Sequence, residues 1–360
     1  MVLKTWIAFA ALAATLNAVP ASAQAQRYTI TDLGSLYGCC TTDDESYAVG
    51  INNAGDVVGS ALTPVSAYHP VPFIYRNGRM VAITDALGYA TAINTAGHVA
   101  GYVQRIGNPN MEAFLYDGTM HRLGGLPLHS RDGYSAAHGL NNTGVVVGEA
   151  GGMTRATTGG AMVYVGGQMF SSSYGDARIA YGINDSGAIT GLRTIDSVPL
   201  EHAFLLDRNG FRDLGTLDGD PAGVSVPWAI NAAGVVVGYS TIAGNSTQRA
   251  FEYSNGAMRD LGVLMGVPGF PSGLGWEYSL GLGINTAGDI VGESSGTGFL
   301  YHAGTMVDLN DAIDHDEIGW PRIHVATGIN DRGQIIGNAY FGDRPGLHAF
   351  LMTPVPTTPQ

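Results

Sequence analysis

Residues 129–138 hold three side chains suited to moving protons, His129, Tyr134 and His138, and one fixed cation, Arg131. Histidine and tyrosine can serve as base and acid. A guanidinium neutralises charge that develops in the transition state, so the set has the equipment for polysaccharide cleavage. No nucleophile motif, metal-ligand spacing or paired-carboxylate signature accompanies it. Two acidic runs, Asp43-Asp44-Glu45 and Asp314-His315-Asp316-Glu317, offer oxygens to a hard cation. Neither has the spacing of a calcium loop, and both read as solvated turns. No metal site and no cofactor are implied. Trp228, Trp276 and Trp320 have faces on which sugar rings stack, although such rings also fill space between packed sheets.

What positions these residues is a repeat. The pattern Ile-Asn-x-x-Gly-x-Val-Val-Gly recurs with its Asn at Asn52, Asn94, Asn141, Asn184, Asn231, Asn285 and Asn330. The mean spacing is about 46 residues, in the range of propeller blades. Each unit reads as four short strands. The first ends at the Ile-Asn pair, and the second carries the Val-Val-Gly run. The third is an Ala-Phe-Leu-Tyr run, followed by a tight turn such as Asn77-Gly78 or Asn255-Gly256. Such dipeptides are strong hairpin signals. The fourth strand resembles Met258-Arg259-Asp260-Leu261-Gly262.

The two ends of the chain complement each other. Tyr28 to Gly34 reads as a fourth strand without its first three, and His348 to Met352 as a third strand without its fourth. Joined, they complete one sheet and close a ring, which protects edges that an open array would expose. The expected fold is all-β: a seven-bladed β-propeller with four antiparallel strands per blade, the last closed by the N-terminal strand, over residues 24–353.

One column of the repeat varies. Two residues before each strand-ending Ile or Leu stand Val49, Thr91, His138, Tyr181, Trp228, Leu282 and Thr327. The next residue is always Gly or Ala, as crowding near an axis requires. His138, Tyr181 and Trp228 thus come from successive blades and can converge on a ligand. The loops joining fourth to first and second to third strands are longer and more varied than the other turns. Both lie on one face in a four-stranded meander, and variable loops on a rigid scaffold are where binding concentrates. The candidate ligand-binding residues are His138, Tyr181, Trp228, Trp276, Trp320, His129, Arg131 and Tyr134.

With these motifs assembled, the sequence resembles the HAF-repeat family of extracellular bacterial proteins. His202-Ala203-Phe204-Leu205 and His348-Ala349-Phe350-Leu351 carry the tripeptide, and Asp213-Leu214-Gly215-Thr216-Leu217 completes the pattern. The remaining third strands lack the His. The resemblance covers nearly the whole chain after its leader and implies export and a repeat fold. It brings no catalytic residues with it.

Residues 1–23 read as a secretory signal. Lys4 precedes an apolar stretch from Trp6 to Val19, and Ala21-Ser22-Ala23 is a small-x-small cleavage site. No later segment is apolar enough to predict a membrane span. Residues 354–360 read as a disordered Pro-rich tail. The formal net charge of −13 and the lack of any basic run argue against nucleic acid as a partner. Cys39 and Cys40 are adjacent and cannot staple distant parts of the chain. The expected function is therefore an exported, non-enzymatic binding or scaffold protein, periplasmic or extracellular. It meets a glycan or protein on the long-loop face, and the sequence sets no oligomeric state. A propeller polysaccharide lyase or hydrolase is the alternative, and a structural cell-surface component is a third.

Overall fold

Each Ile-Asn-x-x-Gly segment fixes where a sheet turns. The Asn52 Oδ1 accepts from the backbone N–H groups of Ala54 and Asp56, both at 3.0 Å. Gly55 takes the left-handed conformation at φ +90° that a residue with a Cβ rarely adopts. Every repeat keeps the left-handed Gly and the bond from the N–H four residues on, and Asn184, for example, accepts from both Ser186 and Ala188.

The computed structural model describes residues 26–36, 45–63, 66–104, 107, 110–126, 133–151, 159–171, 176–195, 200–242, 247–265, 277–313, 321–342, 344 and 346–356. Their strands pair into seven four-stranded antiparallel sheets arranged as the blades of a β-propeller. In six blades the strands follow in chain order, as in Ser46–Ile51, Val57–Thr63, Ser66–Arg76 and Arg79–Ala82. The seventh takes Arg322–Ile329, Ile335–Tyr340 and His348–Pro354 from the end of the chain and its outer strand, Tyr28–Asp32, from the beginning. The register runs from Tyr28 opposite Pro354 to Asp32 opposite Phe350. The ladder reaches Pro354, one residue past the boundary expected from sequence, and Val355 N donates to the Arg27 carbonyl at 2.8 Å. Among the described residues, no helix is long and apolar enough to cross a membrane. The signal segment, Cys39, Cys40, both acidic runs except Glu45, and the last residues of the tail lie outside the described residues.

Packing explains the repeat. Third-strand Phe73, Phe114, Phe204, Phe251, Phe299 and Phe350 are buried between sheets, with Met162 in the same role in the third blade. The second-strand Gly lies beneath this ring and against the inner strand. A Cβ on Gly238 would sit 1.9 Å from the Val226 carbonyl oxygen and 2.9 Å from the Phe251 ring. The Gly of Val-Val-Gly is therefore fixed by close approach of backbone and ring, not by its φ.

Buried serines tie neighbouring blades. Ser46 Oγ donates to the Gly34 carbonyl at 2.6 Å and accepts from Ala349 N at 3.0 Å. Ser225 links Gly215 and Ala203 in the same way, and Ser279 links Gly262 and Ala250. Each donor and acceptor finds a partner, as buried polar groups require.

A closed ring of hydrogen bonds girds the axis. Each motif Asn donates through Nδ2 to the backbone carbonyl of the next blade's Asn: 52 to 94, 94 to 141, 141 to 184, 184 to 231, 231 to 285, 285 to 330, and 330 back to 52. The distances are 3.0–3.4 Å. Together with the neighbouring Ile, Leu and polar residues, these asparagines line a cavity of about 230 Å³ at this end of the channel.

Candidate functional site

The inner strand of every blade carries a β-bulge at the same place. The register slips between Ala48 and Gly50, Ala90 and Ala92, Ala137 and Gly139, Ala180 and Gly182, Pro227 and Ala229, Gly281 and Gly283, and Ala326 and Gly328. The residue skipped in each case is the variable one: Val49, Thr91, His138, Tyr181, Trp228, Leu282 and Thr327. A bulge leaves one residue out of the ladder and re-aims its side chain. Val49 and Trp228 are each 39% exposed on the innermost strand of their blades, so they face the channel. The small residue beside the bulge is a packing requirement, since a Cβ on Gly139 would lie 3.0 Å from the Tyr181 carbonyl oxygen of the next blade.

The seven positions divide by chemistry. Thr91 and Thr327 turn their hydroxyls to a carbonyl of the next blade, Ala137 at 3.0 Å and Ala48 at 2.8 Å. His138, Tyr181 and Trp228 instead stand side by side. Ring centroids are 5.4 Å apart from His138 to Tyr181 and 5.1 Å from Tyr181 to Trp228. Two tyrosines of the second blade prolong the row. Tyr102 lies 6.1 Å from His138 in an edge contact, and Tyr89 lies 5.3 Å from Tyr102. Adjacent tilted rings at these separations support one another.

A polar group backs the row. Tyr134 OH donates to Glu149 Oε2 at 3.2 Å, and His138 Nε2 lies 3.8 Å from Glu149 Oε1. Glu149 is buried, and His138 Nε2 is buried with no hydrogen-bond partner among the described residues. Similar tyrosine–carboxylate pairs occur at Tyr47 with Glu45 and Tyr278 with Glu293. Burial first, and then the hydrogen-bonded carboxylate, push the Tyr47 and Tyr278 phenols well above their ordinary value.

Of the residues proposed from sequence, the structure brings His138, Tyr181 and Trp228 together and sets Tyr134 behind them. Tyr134 and His138 belong to the inner strand Tyr134–Leu140, not to the loop before it. His129, Arg131, Trp276 and Trp320 lie outside the described residues. Long loops between second and third strands are not universal. In the sixth blade Ile290–Ser294 turns into Thr297–His302 through Ser295 and Gly296 alone.

Sequence reading missed Tyr89, Tyr102 and Glu149. A signal for two of them was present. The residue after the second-strand Gly varies as Ser60, Tyr102, Glu149, Leu192, Tyr239, Glu293 and Asn338, a second variable column. The His of the His-Ala-Phe tripeptide proves to be a clasp. His202 Nδ1 lies 3.0 Å from Asp213 Oδ1, and His348 Nδ1 lies 3.1 Å from Asp32 Oδ1.

No family model matches this chain, and no curated protein does. Solved structures share its fold. The puromycin-hydrolysing peptidase of Mycobacterium tuberculosis is 12% identical over 86% of this chain, with a TM-score of 0.51. This chain covers 53% of that protein, about half its length. The β-propeller domain of the trilobed protease from Pyrococcus furiosus, which has an open velcro topology, is 9% identical. The match covers 76% of this chain and 86% of that one, with a TM-score of 0.51. At such identities the likeness is one of fold, and function must be argued from the site.

Proposed function

We propose that this chain is an exported, non-enzymatic binding protein that holds a glycan in its channel, against the aromatic row. The observation that carries the reading is the bulge shared by all seven inner strands. It turns one residue per blade out of the ladder, and three consecutive blades place His138, Tyr181 and Trp228 there. Flat rings on a rigid wall with polar groups behind them are the means by which proteins hold sugar rings, because a sugar has an apolar face and a hydroxylated edge. The leader-like residues 1–23 support export.

The test is retention of the chain lacking residues 1–23 on a panel of neutral and acidic polysaccharides, beside its Trp228→Ala variant. Retention of the parent chain on at least one glycan, weakened in the variant, is the expected result. No retention on any glycan removes the reading. It would then favour a protein ligand or a structural role at the cell surface.

A second reading, cleavage of the bound glycan, draws support from His138. Its buried Nε2 faces Glu149 at 3.8 Å with Tyr134 behind, while the rest of the imidazole is partly open, so the carboxylate can balance the ring's charge as the open edge exchanges a proton with a ligand. It predicts soluble products from a retained polysaccharide, with turnover in His138→Ala falling far more than retention does. Retention without products excludes it.

A further inference from the structure

The aromatic row does not stop at Tyr89. Tyr47, on the first blade's inner strand Ser46–Ile51, stands four residues before Ile51, the place that Tyr89 holds before Ile93, and this strand packs against Gly88–Ile93 of the second blade and Ile335–Tyr340 of the seventh. Tyr340 of the seventh blade is exposed, and its ring lies 6.4 Å from His324. His324 sits at an extra bulge, where the register slips between Ile323 and Val325. Its Nδ1 lies 3.1 Å from the Gly296 carbonyl, on the two-residue turn of the sixth blade.

These rings stand at different heights. Trp228, Tyr181 and His138 are at the bulge, two residues before the Ile or Leu that ends the inner strand. Tyr89 stands four residues before Ile93, opposite Tyr102. Tyr340 pairs with Arg322, the first residue of its inner strand. At the rise of an extended strand the track climbs on the order of 15 Å from the level of the bulge to that of Tyr340. The rings therefore form an arc that rises from the channel wall at the fifth blade to the rim between the seventh and first.

Resting on the glycan reading above, we infer that this arc is a multi-subsite track and that its ligand is an extended oligosaccharide rather than a single sugar. A monosaccharide covers only one or two of these rings. A chain that follows the arc meets Trp228 and Tyr181 deep in the channel and Tyr340 at the rim. Tyr340 is then a specificity-determining residue that reads chain length, remote from the deep end that every ligand occupies.

The experiment uses cello-, xylo- and chito-oligosaccharide ladders, from monosaccharide to hexasaccharide, with the full chain lacking residues 1–23. Affinity should rise with length. Tyr340→Ala should weaken the longest rung roughly fivefold to tenfold, the size a single ring contact supports, and leave the shortest bound rung unchanged. Tyr340→Phe, which keeps the ring, should restore the long-rung affinity, and its melting temperature controls for folding. Trp228→Ala should weaken every rung. Equal affinity along a ladder, or Tyr340→Ala binding like the parent at every length, overturns the track and leaves the channel reading standing if Trp228→Ala still weakens binding. Absence of any binding sensitive to Trp228→Ala overturns both.

Discussion

Asp32 and His348 stand 316 residues apart in the chain and meet with His348 Nδ1 at 3.1 Å from Asp32 Oδ1 and 3.2 Å from Oδ2. Because an ionised carboxylate only accepts, the proton lies on Nδ1. Arg344 adds a second donor at 2.6 Å, and Gly34 N adds a third at 2.7 Å. The pair sits where the first strand of the chain joins the last. His202 and Asp213 repeat it inside the fourth blade, 11 residues apart, with Arg193 in the place of Arg344. The same clasp serves a local hairpin in one blade and closes the circle in another.

Replacing His348 by Ala should cost about 1–3 kcal/mol, the range for losing a buried hydrogen bond to a charged group. His202→Ala should cost a similar amount at equilibrium. The two should differ kinetically. Opening the seventh blade frees the strand Tyr28–Asp32 and its pairing with His348–Pro354, so His348→Ala should unfold faster. Stopped-flow unfolding in denaturant checks this, and equal unfolding rates would count against a special role for the closing seam.

Acid should attack the same clasp. Burial alone would raise the Asp32 carboxyl, but hydrogen bonds from His348 and Gly34 and the charge of Arg344 outweigh it. The carboxyl is held below its ordinary 3.8. Asp213 is lowered in the same way by His202, Gly215 and Arg193. A carboxyl lowered in the folded state adds stability that is fully present above its unfolded value and is lost as pH falls through the folded one. Melting temperature should therefore hold down to about pH 4 and fall below it. Asp32→Asn should start lower at neutral pH and show a shallower acid limb. A parallel limb in the variant would show that other groups set it.

Much of the fold was legible because its determinants are local. Asn52 and Gly55 make their turn within a few residues, and the orphan segments at Tyr28 and His348 announce a shared sheet. The bulge was not legible, because it exists only in the pairing of two strands. The column Val49 to Thr327 could be listed from sequence, but the reason those side chains leave the ladder could not. Tyr102 and Glu149 escaped for a related cause. They follow a Gly whose role, close approach to Val226 and Phe251 in the case of Gly238, appears only once the sheets are stacked. The clasp by His202 and His348 needs the fourth strand beside the third.

Gly238→Ala tests the close approach directly. Its new Cβ would fall 1.9 Å from the Val226 carbonyl oxygen, and backbone cannot yield cheaply. A loss above about 3 kcal/mol is expected, beyond the usual range for a surface change. Gly210→Ala, where the φ of +105° is the constraint and no atom lies within 4 Å, should cost about 1 kcal/mol or somewhat more. Chemical denaturation of both variants gives the comparison, and a mild Gly238→Ala would contradict the packing account.

The asparagine ring makes its own forecast. Asn330 donates to the Asn52 carbonyl at 3.0 Å and accepts from Arg332 N at 3.0 Å and Gln334 N at 2.9 Å. Asn330→Asp keeps the acceptor and removes the donor; made in a Gln334→Ala background, where the second Nδ2 bond, to Gln334 Oε1 at 2.8 Å, is already gone, it isolates the bond across the closing joint. It should cost about 1–2 kcal/mol. Asn184→Asp, at an internal joint, should cost the same if the ring is a uniform hoop. Thermal melts of the two variants decide whether the closing joint bears more strain than the others.

The row itself is best tested where stability and binding separate. Trp228 is well exposed for so large a side chain, so Trp228→Ala should leave the melting temperature within a few degrees of the parent. If a glycan stacks there, the same change should weaken its binding by about 1–2 kcal/mol, roughly fivefold to thirtyfold in Kd. Leu282→Ala, at the equivalent bulge of the sixth blade and outside the row, should leave binding intact. Tyr181→Ala should act on both properties, because Tyr181 also packs against the buried cluster of Ile179, Leu192 and Val226. Titration calorimetry with a retained glycan reads the contrast. If Trp228→Ala and Leu282→Ala bind alike, the aromatic wall serves packing only, because the one residue of the row most open to the channel would then make no contact with the ligand.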